Sequence, residues 1–334
     1  MAERPGRGFA AAAPALILTL FALLPLAAHL LDDPFLIKIG TRVVVFSIAA
    51  VALNLVLGFG GLVSLLHAGL FGIGGYVVAI LAHHAVAAEP MLGVLPGTAN
   101  LAYGLPVAVL VSALAAALIG VVSLRTSGTY FIMITLAFNQ MLYYVFVALQ
   151  QYGGEDGLQI LADLSFAGFD LTRRLPFYYA CLAVLAATLL LVDRLVRSRF
   201  GVVLRAAAQN ERRVAALGIP PLRYRLAALA ISGGLTGLAG ALLAAGQQFI
   251  SPADMSWIRS GDLVVMCVLG GLSLVWGPVL GAGVFLVLEF VLSSWTVHWQ
   301  LGFGILVVAT VTGLRQGLGG FADALRPGRR AGHG

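Results

Sequence analysis

Apolar runs of about 20 residues follow one another along nearly the whole chain of 334 residues. A helix of that length crosses the roughly 30 Å of hydrocarbon in a bilayer. Only 10% of the residues are charged, whereas soluble domains carry about 25%, so this chain cannot cover itself with a surface that faces water. The sequence therefore predicts an all-α, polytopic helical membrane protein and not a soluble protein with buried helices.

Ten apolar segments can be distinguished, and each is a candidate membrane span. The first follows Arg4 and Arg7 and resembles a secretory signal peptide, but its apolar run exceeds the roughly 7 to 15 residues typical of one. We therefore predict about ten transmembrane helices, of which the first is an uncleaved span. The segments are 11–31, 35–57, 60–83, 101–123, 128–149, 176–193, 226–247, 260–276, 279–296 and 299–314.

The arginines set the expected orientation of these spans. Residues 194–225, between the sixth and seventh segments, contain eight arginines and a single acid, Glu211. Basic loops of this kind stay on the cytoplasmic side, and counting spans from that loop places both chain termini in the cytoplasm. We thus predict a cytoplasmic tail over 1–10, a transmembrane domain over 11–318 and a basic cytoplasmic tail over 319–334.

Signatures of soluble enzymes are absent from the sequence. Lys38 is the only lysine, and no GxxxxGK[ST] loop, HExxH motif or Cys/His cluster occurs. We therefore expect no catalytic residue, no metal and no cofactor in this chain. The net charge of +6 comes from loop arginines, and their distribution indicates membrane lipid, not nucleic acid, as the partner.

A few charged residues fall inside the apolar segments. A self-sufficient carrier needs buried carboxylates to couple transport to protons or sodium, and Glu289 is the candidate for that role. The alternative is a hydrogen-bonding or snorkelling acid near a span end. Lys38 and Arg42 lie one helical turn apart, and we expect them to reach the acids at 32 and 33 or lipid headgroups; a role in binding the substrate is the alternative.

The third segment contains a dense cluster of glycines. The stretch "GFGGLVSLLHAGLFGIGGYVVAI", from Gly58 to Ile80, has seven glycines, a serine and a histidine. Glycines permit a broken helix or a very close approach of two helices. Irregular backbone persists at membrane depth only where protein or a water-lined cavity satisfies it. Ser64 and His67 share a face if the helix continues. They either line a transport path or belong to tight packing in which His67 binds a backbone carbonyl.

A weak internal repeat involves the same stretch. The letters "GGLVSLLHAGLFGIGG" from Gly60 are similar to "GGLSLVWGPVLGAG" from Gly270. Glycine-interrupted spans in two halves of a chain indicate a transport site between the halves. Chance similarity of two glycine-rich membrane segments is the alternative explanation.

Two loops have the composition of docking surfaces. The cytoplasmic loop predicts an amphipathic helix from Val203 to Leu217, ended by Gly218 and two prolines. This helix would lie on lipid headgroups or dock into a groove on a cytoplasmic protein. The outer loop over 150–160, "QQYGGEDGLQI", is either an ordinary solvated turn or a contact for a soluble partner outside.

Motifs spread in order over residues 45–318 resemble those of the branched-chain amino acid ABC transporter permeases. The similarity is closer to the LivM-like branch than to the LivH-like branch, and urea and amide permeases are further relatives. Two departures, Leu66 for a glycine and Asn139 for a glutamate, bear on the cargo. The motifs are the stretch 58–76, "RTSGTYFIMITLAFNQML" from Arg125, "GGEDGL" from Gly153, "RFGVVLRAAAQNERRVAALGI" from Arg199 and "VVMCVLGGLSLVWGPVLGA" from Val264.

The resemblance implies a permease subunit of an ATP-driven importer in the bacterial inner membrane. Such a subunit acts by alternating access beside a second, LivH-like permease, two cytoplasmic ATPase subunits that bind the ATP, and a periplasmic substrate-binding protein. The implied cargo is branched-chain or other apolar amino acids. Urea or short amides are the alternative cargo, and a self-sufficient carrier or channel for small solutes is the alternative mechanism.

The same resemblance assigns roles to individual positions. The translocation path would include Gly60, Gly61, Ser64, His67, Phe71, Gly72, Gly75 and Tyr76. The loop that couples to the ATPase would include Arg205, Asn210, Glu211, Ala215, Ala216 and Gly218. The contact with the binding protein would be made by Glu155 and Asp156.

Overall fold

A computed structural model describes residues 7–30, 35–87, 97–162, 164–166, 169–170, 174–295 and 298–313. The predicted C-terminal tail, most of the predicted N-terminal tail, and the acids Asp32 and Asp33 lie outside the described residues. The α-helices are α1 (Arg7–Leu30), α2 (Phe35–Asn54), α3 (His67–Ala87), α4 (Leu101–Ser123), α5 (Thr129–Ala148), α6 (Arg174–Arg197), α7 (Arg199–Gln209), α8 (Glu211–Ala216), α9 (Pro221–Gln247), α10 (Trp257–Gly270), α11 (Gly277–Trp295) and α12 (Trp299–Gly313).

Each of the ten predicted segments overlaps one of these helices, which confirms the all-α polytopic class. In the described part of the chain, seven helices have the length and apolarity to cross a membrane: α2 with its π-helical extension, α3, α4, α5, α6, α9 and α11. The helices α10 and α12 are shorter, with 14 and 15 residues. The number of crossings therefore stays a prediction, as does the side on which each terminus lies.

Two helices begin between the two ends of the molecule instead of at one end. Helix α3 begins only at His67, so the predicted span 60–83 is wrong over its first residues. The hydroxyl of Ser260, in the first turn of α10, donates to the carbonyl of Leu65 at 2.7 Å and accepts from the amide of Ala68 at 3.0 Å. The first turns of α3 and α10 therefore meet in the interior.

From this meeting point the two helices run in opposite directions. The end of α3 lies at the outer loop, where His84 Nε2 is 3.1 Å from Tyr152 Oη. The end of α10 lies at the opposite end of the molecule, where Asn54 Nδ2 donates to the carbonyl of Leu274 at 3.0 Å. We call the first end the outer side. We call the second end the coupling side, because α7 and α8, which belong to the predicted coupling loop, lie there.

Each half of the chain contains a long helix followed by a helix that begins between the two ends of the molecule, and these two helix pairs run in opposite directions. In the first half, α2 is followed by an irregular segment and the interior start of α3. In the second half, α9 is followed by an irregular segment and the interior start of α10. Inverted halves of this kind are common in transporters. The repeat noticed in the sequence does not follow this relation, because Gly60 precedes α3 whereas Gly270 ends α10.

Small residues let α9 pack directly against α3 and α4. A Cβ atom added at Gly240 would overlap the carbonyl oxygen of Phe71, and one added at Gly74 would overlap that of Gly237. These helices therefore touch backbone to backbone, as small-residue motifs allow in membranes. On the outer side, β1 (Leu158–Gln159), in the loop after α5, pairs antiparallel with β4 (Phe249–Ile250), in the segment after α9; β2 (Ser165–Phe166) pairs with β3 (Phe169–Asp170).

Candidate transport site and coupling surface

The helix interruption before α3 begins at the coupling-side end of α2. A π-helical turn over Leu55–Phe59 extends α2, and the amide of Leu62 donates to the carbonyl of Val56 at 3.0 Å. Gly61 then has φ of +65°, a left-handed conformation that glycine adopts at little cost. The glycines of this stretch therefore provide both of the features expected from the sequence, a broken helix and close helix packing.

Side chains from other helices satisfy the backbone amides where α3 starts. Thr135 Oγ1 accepts from the amide of Leu65 at 3.2 Å. Asn139 Oδ1 accepts from the amide of Gly69 at 2.6 Å, while its Nδ2 donates to the carbonyl of Met255 at 2.9 Å. Since Thr135 and Asn139 lie in α5, a spanning helix, this polar cluster explains how irregular backbone persists at membrane depth.

His67 is fully buried at the first position of α3. The hydroxyl of Ser232 donates to the carbonyl of Ala52, and so it accepts from His67 Nε2 at 2.8 Å. The imidazole is therefore the tautomer with its proton on Nε2, and Nδ1 is an acceptor that has no hydrogen-bond partner in the described part of the chain. The backbone carbonyl that we expected as its partner is replaced by a serine hydroxyl.

The other predicted path residues, apart from Gly61, are packed inside the protein. Ser64 lies before the start of α3, so it does not share a helical face with His67 as predicted, and its hydroxyl accepts from the amide of Leu66 at 3.4 Å. Phe71 stacks on Phe46 with ring centroids 5.6 Å apart. Gly72 lies against Met255, Gly75 against Ile250, and Tyr76 against the ring of Phe146, while Gly60 is buried and Gly61 is exposed.

We expect Asn139→Leu to lower the stability of the folded chain by about 2 kcal/mol. The substitution leaves the amide of Gly69 and the carbonyl of Met255 without partners in an apolar interior. Asn139→Asp, as the neutral acid that burial favours, keeps an acceptor for Gly69 and an O–H donor for Met255, so a smaller loss is expected. Unfolding in mixed micelles by added dodecyl sulfate measures both, and equal stability of all three proteins would contradict the importance of this amide.

A cluster of ion pairs lies between α2, α10 and α11. Arg42 binds Glu289 at 3.3 Å, and Arg259 lies 3.7 Å from Asp262. The two guanidinium groups lie 5.7 and 5.9 Å from the centroid of the Phe46 ring, where cation–π attraction adds to the ion pairing. Glu289 is thus not a lone acid: its partner is Arg42, while the acids at 32 and 33 lie outside the described residues.

We expect Glu289→Met and Arg42→Met each to lower stability by about 1–2 kcal/mol, because each leaves an unpaired charge in a partly buried site. The double variant is expected to lose less than the sum of the two, since removing both charges removes the desolvation cost. Unfolding of the four proteins gives the coupling free energy. Strict additivity would show that the pair contributes nothing to the fold.

Glu289→Gln is expected to leave solute uptake mostly intact.

The predicted coupling helix is two helices, which corrects the single helix Val203–Leu217. Helix α7 begins already at Arg199, and Asn210 between the helices is extended, with φ of −156°. Asn210 Oδ1 accepts from the amide of Arg213 at 3.0 Å and so begins α8. Gly218 ends the unit with φ of +78°, as predicted. The residues Glu211, Ala215, Ala216, Leu217 and Gly218 are exposed.

Two arginines fix this unit to the spanning helices. Arg205 donates to the carbonyls of Gly201 at 3.2 Å and Val196 at 3.1 Å, so its guanidinium joins α7 to the end of α6. Arg225, in α9, donates to the Glu211 carboxylate and, at 3.0 Å, to the carbonyl of Ala207. In the sequence Arg225 counted only as one basic residue of a cytoplasmic loop, and no motif indicated this contact.

The end of α7 also touches the interruption before α3. A Cβ atom added at Gly61 would lie 3.0 Å from the Cβ of Ala208. A movement of α7 is therefore expected to displace Gly61 directly, and Gly61 is the position from which the chain enters the interior. On the outer side, Glu155 and Asp156 form a 3₁₀ turn and are exposed to solvent.

A cavity of about 680 Å³ opens between the outer-side ends of α2, α6 and α9. Its walls come from both halves of the chain, including Arg42 of α2, Phe177 of α6 and Leu242 of α9. None of the predicted path residues lines it.

Spanning helices, two interior helix starts and polar groups enclosed between inverted halves define a polytopic helical membrane protein with transporter-like architecture. A family model described as "Branched-chain amino acid transport system / permease component" matches residues 35–311. The chain therefore belongs to this family of permease components, as its motifs predicted.

Named relatives agree with that assignment. The chain is 28% identical over 312 residues to the high-affinity branched-chain amino acid transport system permease protein LivM of Salmonella typhimurium, covering 84% of this chain and 69% of the relative. It is 27% identical to LivM of Escherichia coli over the same shares. Identity to the probable permease LivH of Methanocaldococcus jannaschii is 27% over 170 residues, covering 49% of this chain and 51% of that relative. No solved structure matches the chain.

Proposed function

We propose that this chain is the transmembrane permease subunit of an ATP-driven importer for branched-chain or other apolar amino acids in a bacterial inner membrane. The family match over residues 35–311 carries the proposal. Its partners are a LivH-like permease, two cytoplasmic ATPase subunits that bind ATP, and a periplasmic binding protein. This chain contributes no chemical step: it forms part of the path and changes conformation.

The unit formed by α7 and α8 supports coupling to an ATPase. Its exposed end over 210–218 is small and apolar after the charged first turn of α8, which suits insertion into a groove. On its other face, Arg205 of α7 binds the end of α6, and Arg225 of α9 binds α7. A push on the exposed end is therefore transmitted to the spanning helices and is not absorbed by a flexible loop.

Two buried polar atoms support a path along α3. His67 Nδ1 and Tyr76 Oη have no hydrogen-bond partner in the described residues, and unsatisfied polar groups are costly in a membrane interior. Alternating access would supply partners for them in a second conformation, in which the α3 start is open to water or solute. The acids Glu155 and Asp156 on the outer side would contact the binding protein.

The test is purification of the tagged chain with its partners, followed by reconstitution into vesicles. Stoichiometric ATPase subunits, and leucine uptake that requires both ATP and the binding protein, are the expected result. Leucine or urea movement by the chain alone, driven by a proton or sodium gradient without ATP, would overturn the importer and favour a self-sufficient carrier.

A further inference from the structure

The described residues that line the cavity on the outer side include three cations. Lys38, Arg42 and Arg174 line it, and no acidic residue is among its lining residues in the described structure. Arg42 is paired with Glu289, whereas Lys38 and Arg174 have no ion-pair partner among the described residues. Two cations that face one cavity and have no ion-pair partner among the described residues favour the binding of an anionic group.

The remaining walls suit a small molecule that is partly apolar. Ile37, Val45, Phe177 and Leu242 provide aliphatic and aromatic surface. Gln247 and Gln248 are exposed at the end of α9 and line the same cavity as the cations, and amide oxygens accept hydrogen bonds from an ammonium group. Gln248 is the one non-glycine residue of the described chain with positive φ, +53°, so the backbone is held in an uncommon conformation at this wall.

We propose that this cavity binds a small α-amino acid with an aliphatic side chain. Lys38 and Arg174 bind the carboxylate, the amide oxygens of Gln247 and Gln248 face the ammonium group, and the apolar wall takes the side chain. The inference rests on the proposed function and adds to it a site on the outer side of this subunit. It also separates the cargo classes, because urea and short amides have no carboxylate for the two cations.

The experiment measures binding of radiolabelled L-leucine to the full-length chain in nanodiscs, with every membrane subunit that copurifies and without the soluble binding protein. Unlabelled L-leucinamide, which lacks the carboxylate, and 4-methylpentanoate, which lacks the ammonium group, serve as competitors. The variants are the neutral pair K38M/R174M and the charge-preserving pair K38R/R174K. Both pairs alter the same two positions, so general damage to the cavity would affect both.

We expect leucine to bind, leucinamide to compete at least tenfold more weakly, and 4-methylpentanoate to be intermediate. The neutral pair should weaken leucine binding at least tenfold, and the charge-preserving pair should stay within about threefold of the original. Absence of leucine binding up to about 10 mM, or equal competition by leucine and leucinamide, would overturn the proposal. So would neutral variants that bind leucine normally but lose anionic phosphatidylglycerol, which would make the cavity a headgroup site.

Failure of this inference and failure of the proposed function give different results. If the chain imports leucine with ATP and its partners, and the neutral pair shows the same uptake and binding, the proposed function stands and the cavity site is refuted. If the chain binds leucine through Lys38 and Arg174 but moves it without ATP, the cavity site stands and the ATP-driven importer is refuted.

Discussion

Gly240→Ala is expected to destabilise the folded chain by about 3 kcal/mol, enough to remove most of it from the membrane. Gly240 lies in α9 where that helix crosses α3, and a Cβ atom there would overlap the carbonyl oxygen of Phe71. The obstacle is backbone and cannot rotate away, so the two helices must separate. Separation also loosens the neighbouring contact of Gly74 with Gly237, and overpacking of this kind costs several kcal/mol at its upper end.

The sign of this effect is opposite to what helix propensity alone gives. In an open helical position, alanine is more favourable than glycine by about 1 kcal/mol. Gly304, in α12, offers that comparison, because no atom lies within 4 Å of a Cβ added there. Dodecyl sulfate unfolding and the amount of protein in the membrane are measured for both variants. Gly240→Ala as stable as Gly304→Ala would show that α3 and α9 are not in backbone contact.

Local sequence was sufficient to predict the helices. An apolar run of spanning length has few alternatives in a membrane, because a helix satisfies its own backbone. The predicted segments that correspond to α4, α5 and α6 therefore begin within a few residues of the observed helices. The glycine-rich stretch before α3 was compatible with both a continuous and a broken helix, and its own residues do not decide between them.

Distant residues make that decision. The amides at the start of α3 are satisfied by Asn139, 70 residues along the chain from Gly69, and by Ser260, 192 residues from Ala68. The periodicity of apolar residues in a sequence does not predict hydrogen-bond partners that are so far apart along the chain. The pairing of Arg42 with Glu289, across 247 residues, was missed for the same reason, and each charge looked solitary in its own segment.

The position of the unit formed by α7 and α8 was predicted from the sequence, but its division into two helices was not. An amphipathic pattern runs through Asn210 without interruption, so it predicted one helix. The signal that could have divided it is Asn210 itself, because asparagine favours the position just before a helix. The attachment of the unit by Arg225 could not be read from the sequence, since that arginine is one of eight in a basic loop.

Arg225→Met is expected to reduce ATP-dependent uptake at least tenfold while basal ATPase activity changes less than threefold. Arg225 is nearly buried, at 9% exposure, and its guanidinium holds both Glu211 of α8 and the Ala207 carbonyl of α7. Methionine keeps much of the apolar stem and removes every donor. The exposed end of the unit can then move without moving α9, so ATP is hydrolysed without transport.

Arg223→Met is the matched control, because Arg223 is exposed two residues earlier in the same helix, and its uptake should stay within twofold of the original. Arg225→Lys keeps the charge but cannot reach both acceptors with one planar group, so it should fall between the two. Uptake, ATPase activity and subunit stoichiometry are measured on the same vesicles. Parallel loss of uptake and ATPase activity would indicate failed assembly, and unchanged uptake would mean that transport does not depend on this contact. Loss of uptake alone would show that coupling of ATP hydrolysis to transport requires the contacts by which Arg225 of α9 holds α7 and α8.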